Sequence, residues 1–367
     1  MVELAYINKL ISDAETYYAA TWQSMKKSED AYNLKLQSGI KLPRDTPVHY
    51  PSTAPAIVDH FVDQVRTSNP IVTLGPLGKG SKKEERRSLL EAFGRLVLER
   101  TNSAEDEPVW DYVAFGLGLL GASVLRVLFD ESKWSDNPEE QGYLWPFTVR
   151  VLHPKNVIVS PGHRFPYAYV IERQRRYVSE LQADYPDWKP LTKNGLVDNT
   201  LGPTSSVELM IYWDKDEYTM FAANNRVFEK PNLLGCPPYI WGYSGLGHKS
   251  EDSDPDAQAA GIIKHIISEL QSEIRLKTAG DSAWVRYVWP ALFGTISEAE
   301  FQTKWSAGAG RYIALKDMDE MPQFLPPPEL NQAMFAMVPQ LRASMERATY
   351  SEVLSGQPGT ADYGVLY

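Results

Sequence analysis

Two long apolar stripes of helical period, separated by a short stretch punctuated by Gly and Pro, constrain this sequence more than any other feature. Ile263, Ile267, Leu270 and Ile274 recur at three- and four-residue steps within Pro255–Asp281. That spacing predicts one helix of about 40 Å, at a rise of about 1.5 Å per residue. Met334, Val338, Leu341, Met345 and Ala348 form a second stripe within Glu329–Leu354, where Pro339 should kink the helix or mark its start. Pro290 and Gly294 end the first pattern, and Pro326–Pro328 precede the second. Between them lie a short helical pattern at Ser297–Trp305, then Gly308 and Gly310, then a strand at Arg311–Leu315. The predicted layout is a helix, a small module and a returning helix, like two stalks carrying a tip. A narrow apolar face on a long helix suits side-by-side packing about an axis.

The preceding 250 residues read differently. Leu4, Ile7, Ile11, Ala14, Tyr18, Trp22 and Met25 predict a helix over residues 3–28. Further helices are expected at Ala56–Ser68, after the charged segment Lys79–Arg87 (Leu89, Phe93, Leu96 and Val97), and at Asp106–Leu117. A short strand is expected at Ile71–Leu74. Longer strands follow at Ala122–Asp130, Phe147–Leu152, Asn156–Ser160 and Tyr167–Gln174. Val207–Trp213, Tyr218–Ala223 and Arg226–Glu229 read as a meander turning at Asp214–Glu217 and at Asn224–Asn225, because paired Asn tolerates the positive φ of a tight hairpin. The expected fold class is α+β with sequential antiparallel strands.

Charge and motifs narrow the function. The net charge of −10 argues against a protein that grips DNA by neutralising phosphates, though not against a surface that DNA slides past. Cys236 is the only cysteine, so the chain has no disulfide framework and suits a reducing compartment; beside Pro237 and Pro238 it reads as a small buried hydrophobe. Glu3, Asn8 and Lys9 interrupt any apolar core of a signal peptide, and no stretch approaches the roughly 20 apolar residues of a membrane span, so a soluble product of a cytoplasm is expected. Gly116, Gly118 and Gly121 spell GxGxxG, but a helix precedes them and a strand follows, the reverse of a dinucleotide site; they are expected to let a helix turn into a strand. Gly75–Ser81 departs from a phosphate-binding loop at Thr73 and Gly80. Asp252, Asp254 and Asp256 have the spacing of a calcium loop, but Ala257 and Ile263 stand where Gly and Glu belong. These acids are expected to complement the dipole of the long helix instead. His153, His163 and the other His are too scattered for a zinc site, and no hydrolase motif occurs. No cofactor, metal or enzymatic activity is expected.

Read in order, the pieces resemble the portal protein of tailed bacteriophages. The resemblance runs from AIVDHFVDQVRTSNP (Ala56–Pro70), through the helix, Gly-rich turn and strand of Asp111–Phe129, to HPKNVIVSP (His153–Pro161). It continues with the Val207–Asn232 meander leading into Leu234–Pro237, the two long helices flanking a small module, and VLSGQPGTADYGVL (Val353–Leu366). Tyr363 and Leu366 depart from the family's usual Ser and Ala. The resemblance implies a wing over residues 1–250, a first stem helix at 251–290, a clip at 291–328 and a second stem helix at 329–354. A tunnel loop and the start of the next wing helix would then occupy 355–367, the C-terminal remainder or crown of other portals being absent from this chain.

It further implies a ring of twelve copies at a unique capsid vertex of a virion assembled in the host cytoplasm. Double-stranded DNA would pass through that ring non-specifically during packaging and ejection. Partners would be the terminase large subunit, scaffold and major capsid proteins, and a head–tail adaptor, with no membrane involved. Gln357, Thr360, Asp362 and Tyr363 would face the DNA; Ile263, Ile267, Leu270, Ile274, Leu341 and Met345 would pack the stem; Lys304, Trp305, Arg311 and Tyr312 would form the docking surface of the clip. The alternatives are another head–tail connector or adaptor ring, and a hydrolase on an α+β scaffold.

Overall fold

A computed structural model describes residues 3–39, 48–67, 81–103, 108–135, 137, 145–161, 165–192, 194–247, 254–288, 292–294, 312–314, 323–324 and 332–349. They fall into two compact units, the first from Met1–Ser28 and Val58–Ile262, the second from Glu29–Ile57 and Ile263–Tyr367. Helices combined with antiparallel sheets make the architecture α+β, as expected.

The first unit is built on a five-stranded antiparallel sheet in the order β3 (Val157–Val159), β4 (Tyr169–Tyr177), β5 (Ser206–Asp214), β6 (Glu217–Ala222), β7 (Asn225–Pro231). Period-2 alternation gives the sheet two apolar faces. Ile158, Ile171, Tyr212 and Phe221 pack against Ile7, Ala14 and Tyr18 of helix α1 (Leu4–Tyr32). Val159, Val170, Ile211 and Trp213 face the other way, onto Val124, Tyr239 and the short helix α5 (Val178–Asp184). Each such side chain contributes about 1.5–3 kcal/mol by leaving water. Val124 and Tyr239 belong to a second antiparallel sheet in the order β2 (Phe147–Leu152), β1 (Ala122–Phe129), β8 (Tyr239–Tyr243). Helix α5 and strand β8 escape sequence reading, because seven and five residues are too few for a period to declare itself.

Helix α4 (Val109–Leu120) enters β1 through Gly121, which has φ +77° and donates its N–H to the Leu117 carbonyl at 3.1 Å. A Cβ there would lie 2.3 Å from the Ala260 backbone, and one on Gly118 would lie 2.6 Å from the Phe61 ring of α2 (Thr53–Thr67). The GxGxxG residues therefore serve a helix-to-strand corner, as the sequence implied. The same corner breaks the helix expected over Pro255–Asp281. Ile262 N–H donates to the Gly118 carbonyl at 2.7 Å, and Ser244 Oγ donates to the Ala260 carbonyl at 2.6 Å. Backbone groups a continuous helix would use are thereby taken. What forms instead is a four-residue helix α6 (Pro255–Gln258), an irregular passage and a 3-10 turn (Lys264–Ile266). Asp254 caps α6, accepting the Asp256 N–H at 2.9 Å, and so serves that short helix in place of the long one.

The β6–β7 hairpin closes on Ala223 and Asn224, with φ +44° and +57°, one residue before the expected pair. Asn225 is drawn out of the loop because its Nδ2 donates to the Lys189 carbonyl at 2.8 Å, while Asn224 Nδ2 donates to that of Leu191 at 3.1 Å. Ala223 thus carries a left-handed conformation that costs an L side chain about 1–2 kcal/mol. Ala223→Gly should raise stability by roughly 0.5–1 kcal/mol, read as a higher denaturant midpoint at unchanged slope. A lower midpoint would show that the Ala223 methyl matters more to packing than its φ costs.

In the second unit the long helices are α7 (Ile267–Val288) and α8 (Gln332–Thr349), and Pro339 lies inside α8 without ending it. Between them in the chain is a small sheet in the order β10 (Tyr312–Ala314), β9 (Leu292–Gly294), β11 (Gln323–Phe324). β9 pairs parallel with β10 and antiparallel with β11. The helix expected at Ser297–Trp305 and the strand expected at Ile71–Leu74 lie outside the described residues, as does Gly75–Gly80.

Candidate functional site

Two wholly buried carboxylates organise the polar interior, one in each unit. In the second unit Glu273 lies on the stripe of α7, three residues past Leu270, and is 0% exposed. Its Oε1 accepts Arg342 Nε of α8 at 2.9 Å and lies 3.3 Å from Lys277 Nζ. Its Oε2 accepts the hydroxyl of Thr53 at 2.8 Å. One carboxylate thus joins α7 and α8 to the first residue of α2. Apolar packing surrounds it: Ile263, Ile266, Leu270, Ile274 and Met345 are buried, and Ala31, Leu36, Pro51 and Ala54 line a shallow hollow with Leu270 and Ile274. Backbone contacts hold the neighbouring segments along α7: Gln271 Nε2 donates to the Gln37 carbonyl at 3.0 Å, Arg275 Nε to that of Ser38 at 2.6 Å, and His49 N–H to Thr278 Oγ1 at 3.1 Å.

In the first unit Glu172 of β4 is also 0% exposed. It shares the inward phase with Val170, so it points at β1 and β8 while Ile171 points at α1. Arg126 Nη1 of β1 donates to its Oε2 at 2.8 Å, the Tyr239 hydroxyl of β8 donates to the same oxygen at 2.6 Å, and Gln174 Nε2 donates to Oε1. Burial alone would lower the basicity of Arg126, but the Glu172 carboxylate and the Tyr239 hydroxyl outweigh it, holding the guanidinium protonated above the ordinary arginine range. Burial first, and then the adjacent carboxylate, push the Tyr239 phenol well above its ordinary value, so it remains a donor. On the outward phase, Arg173 pairs with Glu15 at 2.9 Å and Glu208 at 2.6 Å, tying α1 to the sheet.

Chemically, both carboxylates are occupied. Each has partners on both oxygens and no solvent access, so neither is placed to act as a general base or nucleophile on a substrate. They join secondary-structure elements. Among the described residues, no group of three His, Cys, Asp or Glu side chains converges on a metal position. Cys236 is half-buried, and its carbonyl accepts Asn232 Nδ2 at 3.1 Å.

Of the residues singled out from sequence, Ile263, Leu270, Ile274 and Met345 come together in the second unit's interior, whereas Ile267 and Leu341 are only half-buried. The buried neighbour of Ile267 is Ile266, which lies with Ile263, Leu270 and Ile274 at the three- and four-residue steps of one helical face. Tyr312 lies in β10. Lys304, Trp305, Arg311, Gln357, Thr360, Asp362 and Tyr363 lie outside the described residues. Sequence reading missed both carboxylates; Glu273 left a signal, a charge beside Leu270 and Ile274 on the apolar stripe of α7, whereas the inward phase of β4 runs Val170, Glu172, Gln174, Arg176 and marks no exception.

No family model and no curated protein matches the chain. Among solved structures it is similar to the "Neck of native GTA particle computed with C12 symmetry", at 11% identity and a TM-score of 0.41, over 88% of this chain and 73% of that one.

Proposed function

We propose that this chain is a non-enzymatic, portal-like subunit of a phage head–tail connector that closes into a ring around double-stranded DNA. The observation that carries the reading is the helical hairpin of the second unit. β9 begins four residues after α7 ends, β11 ends eight residues before α8 begins, and Leu292 pairs with Phe324, so the module returns α8 to the end of α7. The ion pair of Glu273 with Arg342 then ties the two helices to each other. This supports reading the second unit as the stem and clip that the sequence resemblance implies, in a chain that also carries an α+β unit. A net charge of −10 suits a channel that must not hold phosphates firmly. In this reading Lys304, Trp305, Arg311 and Tyr312 form the clip surface that meets terminase and adaptor, and Gln357, Thr360, Asp362 and Tyr363 approach the DNA. Asp362 would repel phosphates there and reduce friction. Scaffold and major capsid proteins would contact the wing at the capsid vertex.

Head-to-tail interfaces form rings when the rotation between neighbours closes, and open filaments when it does not. Twelve copies of 41.4 kDa give about 500 kDa, which native mass spectrometry and particle imaging of the full chain should detect as rings with a central hole. Duplex DNA should be poorly retained at moderate salt. A chain that stays monomeric at high concentration and in the particle, or that binds one DNA sequence tightly, would overturn the reading.

A further inference from the structure

Asn194 and Gly195 form the only Asn-Gly step in the sequence, and they occupy an exposed turn of the first unit, between α5 and β5. The turn is held by backbone pairing. Leu191 bridges Val197 in the antiparallel sense, Thr192 N–H donates to the Leu196 carbonyl at 2.7 Å, and Gly195 N–H donates to the Thr192 carbonyl at 3.0 Å. Gly195 has φ +77°, in the left-handed region that glycine enters freely, and a Cβ built there would meet nothing within 4 Å. Leu196 and Val197 are 70% and 49% exposed, so little apolar packing secures the tip. A turn restrained mainly by solvent-exposed hydrogen bonds opens at low free-energy cost.

We propose that Asn194 is a site of spontaneous deamidation in the folded chain and the first of its asparagines to convert. The deprotonated Gly195 nitrogen attacks the side-chain carbonyl carbon of Asn194. A C–N bond forms, the bond to the amide nitrogen breaks, and ammonia leaves, carrying the proton that Gly195 gave up. Water then opens the resulting succinimide at either carbonyl, which gives aspartate or isoaspartate. A side chain on the following residue hinders the attack, and every other Asn of this chain is followed by such a residue. Several are also engaged. Asn102, in helix α3 (Ser81–Ser103), accepts the Trp110 N–H at 3.2 Å. The side-chain amides of Asn224, Asn225 and Asn232 donate to the carbonyls of Leu191, Lys189 and Asp214 at 3.1, 2.8 and 2.6 Å. At Asn194 the bond from Gly195 N–H to Thr192 must break first, so the reaction runs through the opened turn. Either product adds a carboxylate to a chain of net charge −10. Isoaspartate also inserts a methylene into the backbone between Thr192 and Leu196, which shifts the pairing of Leu191 with Val197. Leu191 is in turn tied to the β6–β7 hairpin, its N–H donating to the Ala223 carbonyl at 2.9 Å. An aged subunit thus carries a more acidic, re-paired loop beside that hairpin.

The test is incubation of the full chain in mildly alkaline buffer, followed by peptide mapping with mass spectrometry that separates isoaspartate from aspartate. In the folded chain Asn194 should convert ahead of every other Asn, to a mixture of both products, at a rate that rises with hydroxide concentration. In urea it should convert faster still, because the turn no longer holds the Gly195 N–H. Asn194→Gln should abolish conversion at this position, since the longer side chain closes a ring far less readily, and an exposed site should tolerate it without loss of fold. No conversion at Asn194 in the folded chain, conversion of another Asn ahead of it, or aspartate without isoaspartate would each overturn the assignment. None of these results bears on whether rings form, which imaging reads independently.

Discussion

Arg126→Met should destabilise the first unit by about 3–5 kcal/mol, because it leaves the Glu172 carboxylate charged, buried and without its cationic partner. Glu172 is 0% exposed, and burial this complete leaves no route for water to replace the guanidinium. Tyr239→Phe should cost less, about 1–2 kcal/mol, since it removes one donor from an oxygen that Arg126 still serves. The double replacement Arg126→Met, Glu172→Leu should recover much of the loss, because an apolar pair of similar volume escapes the desolvation cost of the ion pair. Denaturation followed by tryptophan fluorescence suits the experiment, as Trp188 and Trp213 lie in the same core. If Arg126→Met costs no more than Tyr239→Phe, the Arg126–Glu172 pair does not hold this core together.

The pair also shows where sequence reading stops. Strand β4 was legible over most of its length, since Val170, Ile171 and their neighbours are apolar and β-branched. The role of Glu172 was not, because its partners stand 46 and 67 residues away in the chain; the β1–β8 pairing sets Arg126 opposite Tyr239, and the packing of one sheet on the other brings both onto Glu172. Long-range polar contacts have no period. β2 was legible from end to end, and α1 and α4 within a few residues, because an apolar stripe and a following Gly are local signals. The break between Gln258 and Ile267 was not legible. Gly261 is the one breaker among Ala259, Ala260, Gly261 and Ile262, too weak by itself to end an apolar stripe, and tertiary hydrogen bonds to the α4–β1 corner decide against the helix.

Burial decides which residue of the stripe matters. Ile266→Asp should cost several kcal/mol and abolish folding of the second unit or any assembly that depends on it, since Ile266 is 1% exposed. Ile267→Asp should cost far less, about 1 kcal/mol or below, because that side chain is half-buried and an aspartate there can turn toward water. A helix continuous from Pro255 would put Ile266 and Ile267 at similar angles on either side of the line through Ile263, Leu270 and Ile274, and would make the two variants comparably damaging. In the structure the buried positions run Ile263, Ile266, Leu270, Glu273, Ile274, a set that the 3-10 turn and the first turns of α7 produce together. Glu273 fits the same face because Arg342, Lys277 and Thr53 neutralise and bind it there. An aspartate at 266 would meet no such partners and would have to take up a proton or pull the turn apart. Soluble yield and denaturation midpoint, compared between the two variants, decide the matter. Equal damage from both would mean that the turn and α7 form one uninterrupted helix in solution, with both isoleucines inside.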